Sequence, residues 1–231
     1  MMVQTSEIVL LPGLDGSGEL YADLERRLAG NLHVTIVRYP RARSMKYKDY
    51  VNYVRSEIGK RSVVILGESF SGPIAIQLAA QFPEQVRGVV LTSTFLKNPW
   101  PKWALSIVSR TDLHKVPHFL IEIALLGLRR ERVLSSRLAA VIAALPREII
   151  SARLEEVAGV DVSTEFARLQ IPLLVLHGTA DLAVPRWTQK PFFAAGEAVR
   201  FEQIKGPHML LQCEPVRAAS IILEFINSLG K

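Results

Sequence analysis

Val63-Val64-Ile65-Leu66-Gly67-Glu68-Ser69-Phe70-Ser71-Gly72-Pro73-Ile74-Ala75-Ile76-Gln77-Leu78-Ala79 decides the fold. A short, β-branched apolar run stops at Gly67, and a helix-compatible run begins just after Ser69. Gly-x-Ser-x-Gly lies between them. In that context the serine sits in a sharp strand-to-helix turn whose backbone is strained, with its hydroxyl lifted clear of the sheet. Gly67 and Gly72 lack a Cβ and let strand and helix approach. The N-terminus of the following helix points at the hydroxyl, and its partial positive charge favours an anion there. A serine in an ordinary Gly-rich turn is the plain alternative. The strand before and the helix after favour a nucleophile.

Upstream, Ile8 to Leu11 is a buried strand running straight into Pro12-Gly13-Leu14-Asp15-Gly16-Ser17-Gly18. Three glycines between a strand and a helix let backbone N–H groups face inward. The expectation is an oxyanion loop, with the N–H of Leu14 as one donor and that of Phe70 as the other; removing one such donor typically costs ~3 kcal/mol of transition-state stabilisation. A phosphate loop is the rival, but the Gly-Lys-Ser/Thr ending and the dinucleotide glycine spacing are absent. Glu19 to Ala29 reads as helix, His33 to Val37 as strand, Tyr47 to Ile58 as helix and Val86 to Leu91 as strand. Strand and helix in alternation predict a parallel sheet covered on both faces, with reactive groups at the carboxyl ends of its strands.

From Thr92 the alternation stops. Asn98-Pro99-Trp100-Pro101 breaks the chain, and about Trp103 to Val157 reads as helix, an insertion over the sheet. It carries Arg129, Arg130, Arg132, Arg137, Arg147 and Arg153. Solvated helix faces are the default for these arginines, with anion or carrier-protein docking as the alternative. Trp100, Trp103, Phe119 and Leu126 are candidates to line an acyl pocket, and packing of the insertion on the core explains them equally well. His114 and His118 have a four-residue spacing but no third ligand nearby, so exposed polar residues are expected and no metal is assigned.

Alternation resumes at Leu173 to Leu176, which leads into His177-Gly178-Thr179-Ala180-Asp181, and Val199 to Ile204 leads into Lys205-Gly206-Pro207-His208. Alone, Asp181 reads as a turn cap and His208 as an inert loop histidine. Together with Ser69 they make three loops, each after a strand, each presenting one residue type of a proton relay. Ser69 is too weak an acid to attack unaided. His208 would take its proton and return it to the leaving group, and Asp181 would fix the imidazole tautomer.

On Leu11-Pro-Gly-Leu-Asp-Gly16, Gly67-Glu-Ser-Phe-Ser-Gly72, Gly178-Thr-Ala-Asp181 and Gly206-Pro-His208, the chain resembles the α/β-hydrolase family over essentially its whole length. The resemblance implies an α/β-hydrolase fold: a mostly parallel sheet of about six strands flanked by helices, with residues 1–94 and 159–231 as core and 95–158 as a helical cap. It implies a Ser69–His208–Asp181 triad and no cofactor. Two departures stand out. The chain lacks the antiparallel hairpin that often opens such sheets, and Pro12-Gly13 stands where many relatives have His-Gly. A serine nucleophile points to ester, thioester or amide hydrolysis, with a carboxylic ester hydrolase expected first. Acyl transfer and a non-catalytic binding protein on the same scaffold are the alternatives. The insertion's length and arginines are similar to those of pimeloyl-carrier-protein methyl ester esterases, which implies an acidic acyl-carrier protein as a possible partner.

Composition narrows the rest. The 231 residues are 49% hydrophobic and 22% charged, as in a soluble globular domain. Cys213, the single cysteine, excludes an internal disulfide, and a cytoplasmic location is expected. No signal peptide is recognised at the N-terminus, and the apolar stretch Phe119 to Leu128, broken by Glu122, is too short to span a bilayer. Net charge is +6, concentrated between Arg38 and Arg61, where eight Lys and Arg face only Asp49 and Glu57. A solvated face is the default reading of that segment and an acidic partner the sharper one. No nucleic-acid module or aromatic–basic interleaving is present.

Overall fold

A computed structural model describes residues 6–101, 103, 113–128 and 131–230. Six strands, β1 (Glu7–Leu11), β2 (His33–Ile36), β3 (Val63–Glu68), β4 (Val86–Thr92), β5 (Leu173–Gly178) and β6 (Val199–Ile204), form one sheet in the order β2-β1-β3-β4-β5-β6. Every neighbouring pair is parallel. Side chains alternate across a strand, and the two faces of this sheet bury separate cores. Val9, Leu11, Val63, Ile65, Leu173 and Val175 face one way, onto α2 (Tyr47–Ile58) and α3 (Gly72–Gln81). Ile8, Leu10, Val64, Leu66, Leu174 and Leu176 face the other, onto α1 (Ala22–Leu28) and the C-terminal helix Pro215–Ser228. Burial on both faces explains why these strands read as continuous apolar runs.

Because all strands run the same way, their carboxyl ends share one edge. The chain goes from β1 outward to β2 and then returns to place β3 on the other side of β1. A crevice is expected where the winding reverses, between β1 and β3. Leu11 and Gly67 pair in register there, so the Pro12–Gly18 loop and Ser69 leave the sheet side by side.

Between β4 and β5 the described elements are α4 (His118–Leu126), α5 (Arg132–Ala143), α6 (Arg147–Gly159) and α7 (Ser163–Ala167), with a short 3-10 turn at Leu113–Lys115. Lys97 and Asp161 form an antiparallel bridge at the base of this segment. The N–H of Val162 donates to the Leu96 carbonyl at 2.9 Å and that of Asn98 to Val160 at 3.3 Å. Leu126 and Leu138 pack with Met209, beside His208, while Leu145, Ile149 and Ile150 pack with Leu14. The inserted helices thus rest on the loops at the active edge of the sheet.

The arginine expectation needs one correction. Arg132, Arg137 and Arg147 are exposed as expected, whereas Arg153 is 0% exposed and belongs to the interior. Helical position alone would give it solvent; its place under the Pro12–Gly18 loop denies that. Arg129 and Arg130 lie outside the described residues. Among the described residues no helix is long and apolar enough to cross a membrane, and no cluster of His, Cys, Asp and Glu suits a metal.

Candidate active site

Ser69 has φ of 49°, a conformation that L-residues other than Asn and Asp rarely adopt. Close packing holds it there. A Cβ on Gly67 would lie 2.7 Å from the Ser71 carbonyl oxygen, and one on Gly72 only 2.0 Å from Thr94 Oγ1. Glycine is therefore required at both ends of the elbow. Thr94, just past β4, donates its hydroxyl to the Ser69 carbonyl at 2.6 Å and fixes the turn from the side.

His208 Nε2 stands 3.0 Å from Ser69 Oγ. On the other side of the ring, Nδ1 is 2.9 Å from Asp181 Oδ2 and 3.0 Å from Oδ1. The loops after β3, β5 and β6 therefore bring together the three residues that the sequence singled out. Asp181 does cap its own turn, as its context suggested: Oδ1 accepts the N–H groups of Ala183 at 3.0 Å and Val184 at 2.7 Å. Those bonds orient the carboxylate toward the ring. The Ala180 N–H donates to the Gly206 carbonyl at 2.9 Å, locking the Asp181 loop to the His208 loop.

Burial disfavours a charged His208, but the Asp181 carboxylate, its hydrogen bond and the nearby Glu68 outweigh it, and the imidazole pKa is raised overall. Glu68, immediately before Ser69, is buried. Burial pushes its carboxyl pKa up to about 7, against hydrogen bonds from Tyr21 and Gln212 that pull it down. Gln212 Nε2 reaches both carboxylate oxygens, at 3.1 and 3.2 Å. The position of Glu68 within the motif is visible in the sequence, but its partner Gln212, 144 residues away, is not.

The Pro12–Gly18 loop is pinned along its length. The Ser71 hydroxyl donates to the Pro12 carbonyl and accepts from the Tyr39 hydroxyl at 2.6 Å. The Gly16 N–H donates to the Gly13 carbonyl at 3.1 Å, and the Tyr39 N–H to the Gly16 carbonyl at 2.8 Å. Arg153 Nη1 donates to the Leu14 carbonyl at 2.6 Å. Asp15 Oδ2 accepts from the Ser17 N–H at 2.8 Å. The Leu14 N–H has no acceptor among the described residues. Gly13 lies against Ser69: a Cβ built on it would be 3.9 Å from Ser69 Cβ.

A cavity of about 610 Å³ opens from Ser69 and His208 toward the inserted helices. Its polar lining is confined to the reactive end, with Asp15, Glu68 and Gln212 beside the pair; beyond that it is apolar, with Leu120, Ile121, Ala124 and Leu125 from α4 and Leu138 and Ile142 from α5. Of the four pocket candidates only Trp100 lines it. Trp103 and Phe119 are 70% and 58% exposed, and Leu126 is buried against Leu138 and Met209 instead. Helix α4 is apolar on most sides, so hydropathy did not reveal which side faces the cavity.

The model of the alpha/beta hydrolase family matches residues 8–217. The chain belongs to the alpha/beta hydrolase family. Among solved structures, the alpha/beta hydrolase fold of this chain is matched by an enol-lactonase from Burkholderia xenovorans LB400, at 17% identity and a TM-score of 0.84, covering 96% of this chain and 92% of that one. A hydrolase from Pseudomonas aeruginosa PA01 is similar at 17% identity and TM-score 0.84, over 97% and 91% of the two chains. An esterase from Exiguobacterium antarcticum is similar at 14% identity and TM-score 0.83, over 96% and 92%. At these identities the likeness is one of fold. A comparison with curated proteins gives no match.

Proposed function

We propose that this family member is a serine hydrolase of carboxylic esters that works through an acyl-enzyme. The observation that carries the reading is the unbroken hydrogen-bonded line from Ser69 Oγ through both ring nitrogens of His208 to Asp181. Neutral His208 takes the Ser69 proton on Nε2 as Oγ attacks the ester carbonyl carbon. Asp181 holds Nδ1–H and stabilises the imidazolium without taking its proton. The carbonyl oxygen becomes an oxyanion, for which the free Leu14 N–H and the Phe70 N–H at the helix start are the proposed donors. Collapse expels the alkoxide, which takes the proton from Nε2. Water then repeats the sequence on the acyl-enzyme and releases the acid. An acyl thioester or an acceptor alcohol in place of water would use the same groups.

The apolar far end of the cavity supports an uncharged hydrocarbon acyl group beneath the inserted helices, which act in this reading as a cap. An acidic carrier protein, if it is the donor, would meet the exposed arginines Arg132, Arg137 and Arg147 outside the cavity. A fluorophosphonate probe tests the reading. It should label Ser69 one to one, and Ser69→Ala should abolish both labelling and hydrolysis of p-nitrophenyl butyrate. Hydrolysis retained by the alanine variant would overturn it.

A further inference from the structure

Arg153 is the largest of the fully buried side chains, and among the described residues no carboxylate pairs with it. Its guanidinium is held by three kinds of contact. Nη1 donates to the Leu14 carbonyl at 2.6 Å, Nε donates to the Tyr50 hydroxyl at 3.0 Å, and the rings of Tyr39 and Tyr50 flank it at 5.7 Å each. Nη2 is buried with no acceptor. Burying a charge on these terms is costly, and an apolar side chain of similar volume would serve stability as well or better. The contacts explain what is gained for that cost. Leu14 is the one residue of the Pro12–Gly18 loop whose carbonyl is fixed from outside the core, by α6 of the insertion.

We infer that Arg153 is a positioning residue for the oxyanion loop, through which the inserted helices set the direction of the Leu14 N–H. The inference rests on the proposed role of that N–H. A backbone N–H lies in the peptide plane of the carbonyl before it. For Leu14 that is the plane of the Gly13 carbonyl, which accepts from the Gly16 N–H, while Arg153 holds the next plane through the Leu14 carbonyl. With the second plane held as well, the torsions at Leu14 are closed to rotation and the N–H keeps its direction. The loop in turn is built around the guanidinium: a Cβ on Gly16, at φ of +67°, would lie 2.5 Å from Nη1. A planar fork is needed to reach Tyr50 and Leu14 at once, which a lysine does not supply. Any shift of α6 would therefore be passed to the loop through this contact.

Arg153→Met and Arg153→Lys in the full chain test this. Hydrogen exchange of the peptide spanning residues 9–21 is read alongside kcat and KM for p-nitrophenyl butyrate. In the methionine variant the expectation is faster exchange confined to that peptide and kcat lower by about a hundredfold, the scale for loss of one oxyanion donor, with KM nearly unchanged. Lysine retains one N–H for the Leu14 carbonyl and should recover about tenfold of that loss. A methionine variant with parental kcat, or with exchange raised evenly along the chain, would overturn the inference and leave Arg153 a brace. Should methionine prevent folding, a lysine variant with parental kcat and loop exchange would overturn it equally. If the parent itself neither hydrolyses the ester nor reacts with a fluorophosphonate, the esterase reading falls, while the exchange result still judges Arg153.

Discussion

Gln212 holds Glu68, the residue before Ser69, by both carboxylate oxygens, 3.1 and 3.2 Å from a single amide nitrogen. This buried carboxyl has its pKa pushed up to about 7 and raises that of His208 when ionised. The charge on each group therefore affects the proton affinity of the other.

Glu68→Gln separates them. Glutamine keeps the shape and still accepts from Gln212, but it removes the anion that helps to raise the His208 pKa. Attack needs neutral His208, so activity falls as pH drops through its raised pKa. Losing Glu68 should move the acid limb of kcat/KM to lower pH. The sign for stability is also defined. A carboxyl whose pKa is raised on folding binds more protons in the native state, so its contribution is complete below about 4.5 and is lost as pH rises through about 7. Urea unfolding between those limits should show a decline in the parent that the variant lacks in part. An unmoved acid limb would mean that Glu68 has no influence on the base.

Asp181→Asn should leave the fold intact and lower kcat by about 10⁴-fold. The Ala183 and Val184 N–H groups claim an oxygen at Oδ1, so the amide nitrogen of asparagine is forced to face His208. Nδ1 must then accept, which puts the ring proton on Nε2, facing Ser69. That tautomer cannot take the serine proton. Steady-state kinetics with circular dichroism checks both halves, and a loss of less than tenfold would remove Asp181 from the relay.

Gly72→Ala puts a methyl group 2.0 Å from Thr94 Oγ1, the atom that steadies the Ser69 carbonyl. Overpacking of this kind costs about 1–3 kcal/mol. The displaced Thr94 should also release the strained φ of Ser69, lowering kcat. Adding Thr94→Gly makes room and should restore part of the lost stability, a coupling that thermal denaturation of the single and double variants would show. Simple additivity would place the strain elsewhere.

Much of this was legible in the sequence because it is local. Strands buried on both faces are continuous apolar runs, and each reactive side chain follows one of them within a few residues, as Ser69 and Asp181 do. Arg153 was not legible. It sits in α6 beside Glu155 and Glu156, where an arginine ordinarily meets water, and its acceptor is a backbone carbonyl 139 residues away. Nothing in side-chain type marks a carbonyl as a partner. The register of α4 was hidden for a different reason: Phe119, Leu120, Ile121 and Ile123 are all apolar, so only packing against the sheet edge decides that Ile121 faces the cavity while Phe119 faces out.

That register makes the cavity testable. If the acyl chain runs from Ser69 toward Ile121, Ala124 and Leu125, each added methylene leaves water for an apolar lining. Transfer of one methylene contributes about 0.8 kcal/mol, or roughly a fourfold rise in kcat/KM where the contact is kept in the transition state. A series of p-nitrophenyl esters from acetyl upward should climb at about that rate and then level off where the cavity is full. An acyl chain ending in a carboxylate should fall well below its neutral counterpart, because no charged residue among the described residues lines the far end. Ala124→Phe fills the cavity from α4 and should move the plateau to shorter chains while leaving acetyl hydrolysis near the parental rate. Phe119→Ala, on the exposed side of the same helix, should leave the plateau where it is. A flat series, or a plateau that Ala124→Phe does not shift, would mean that the acyl group lies elsewhere.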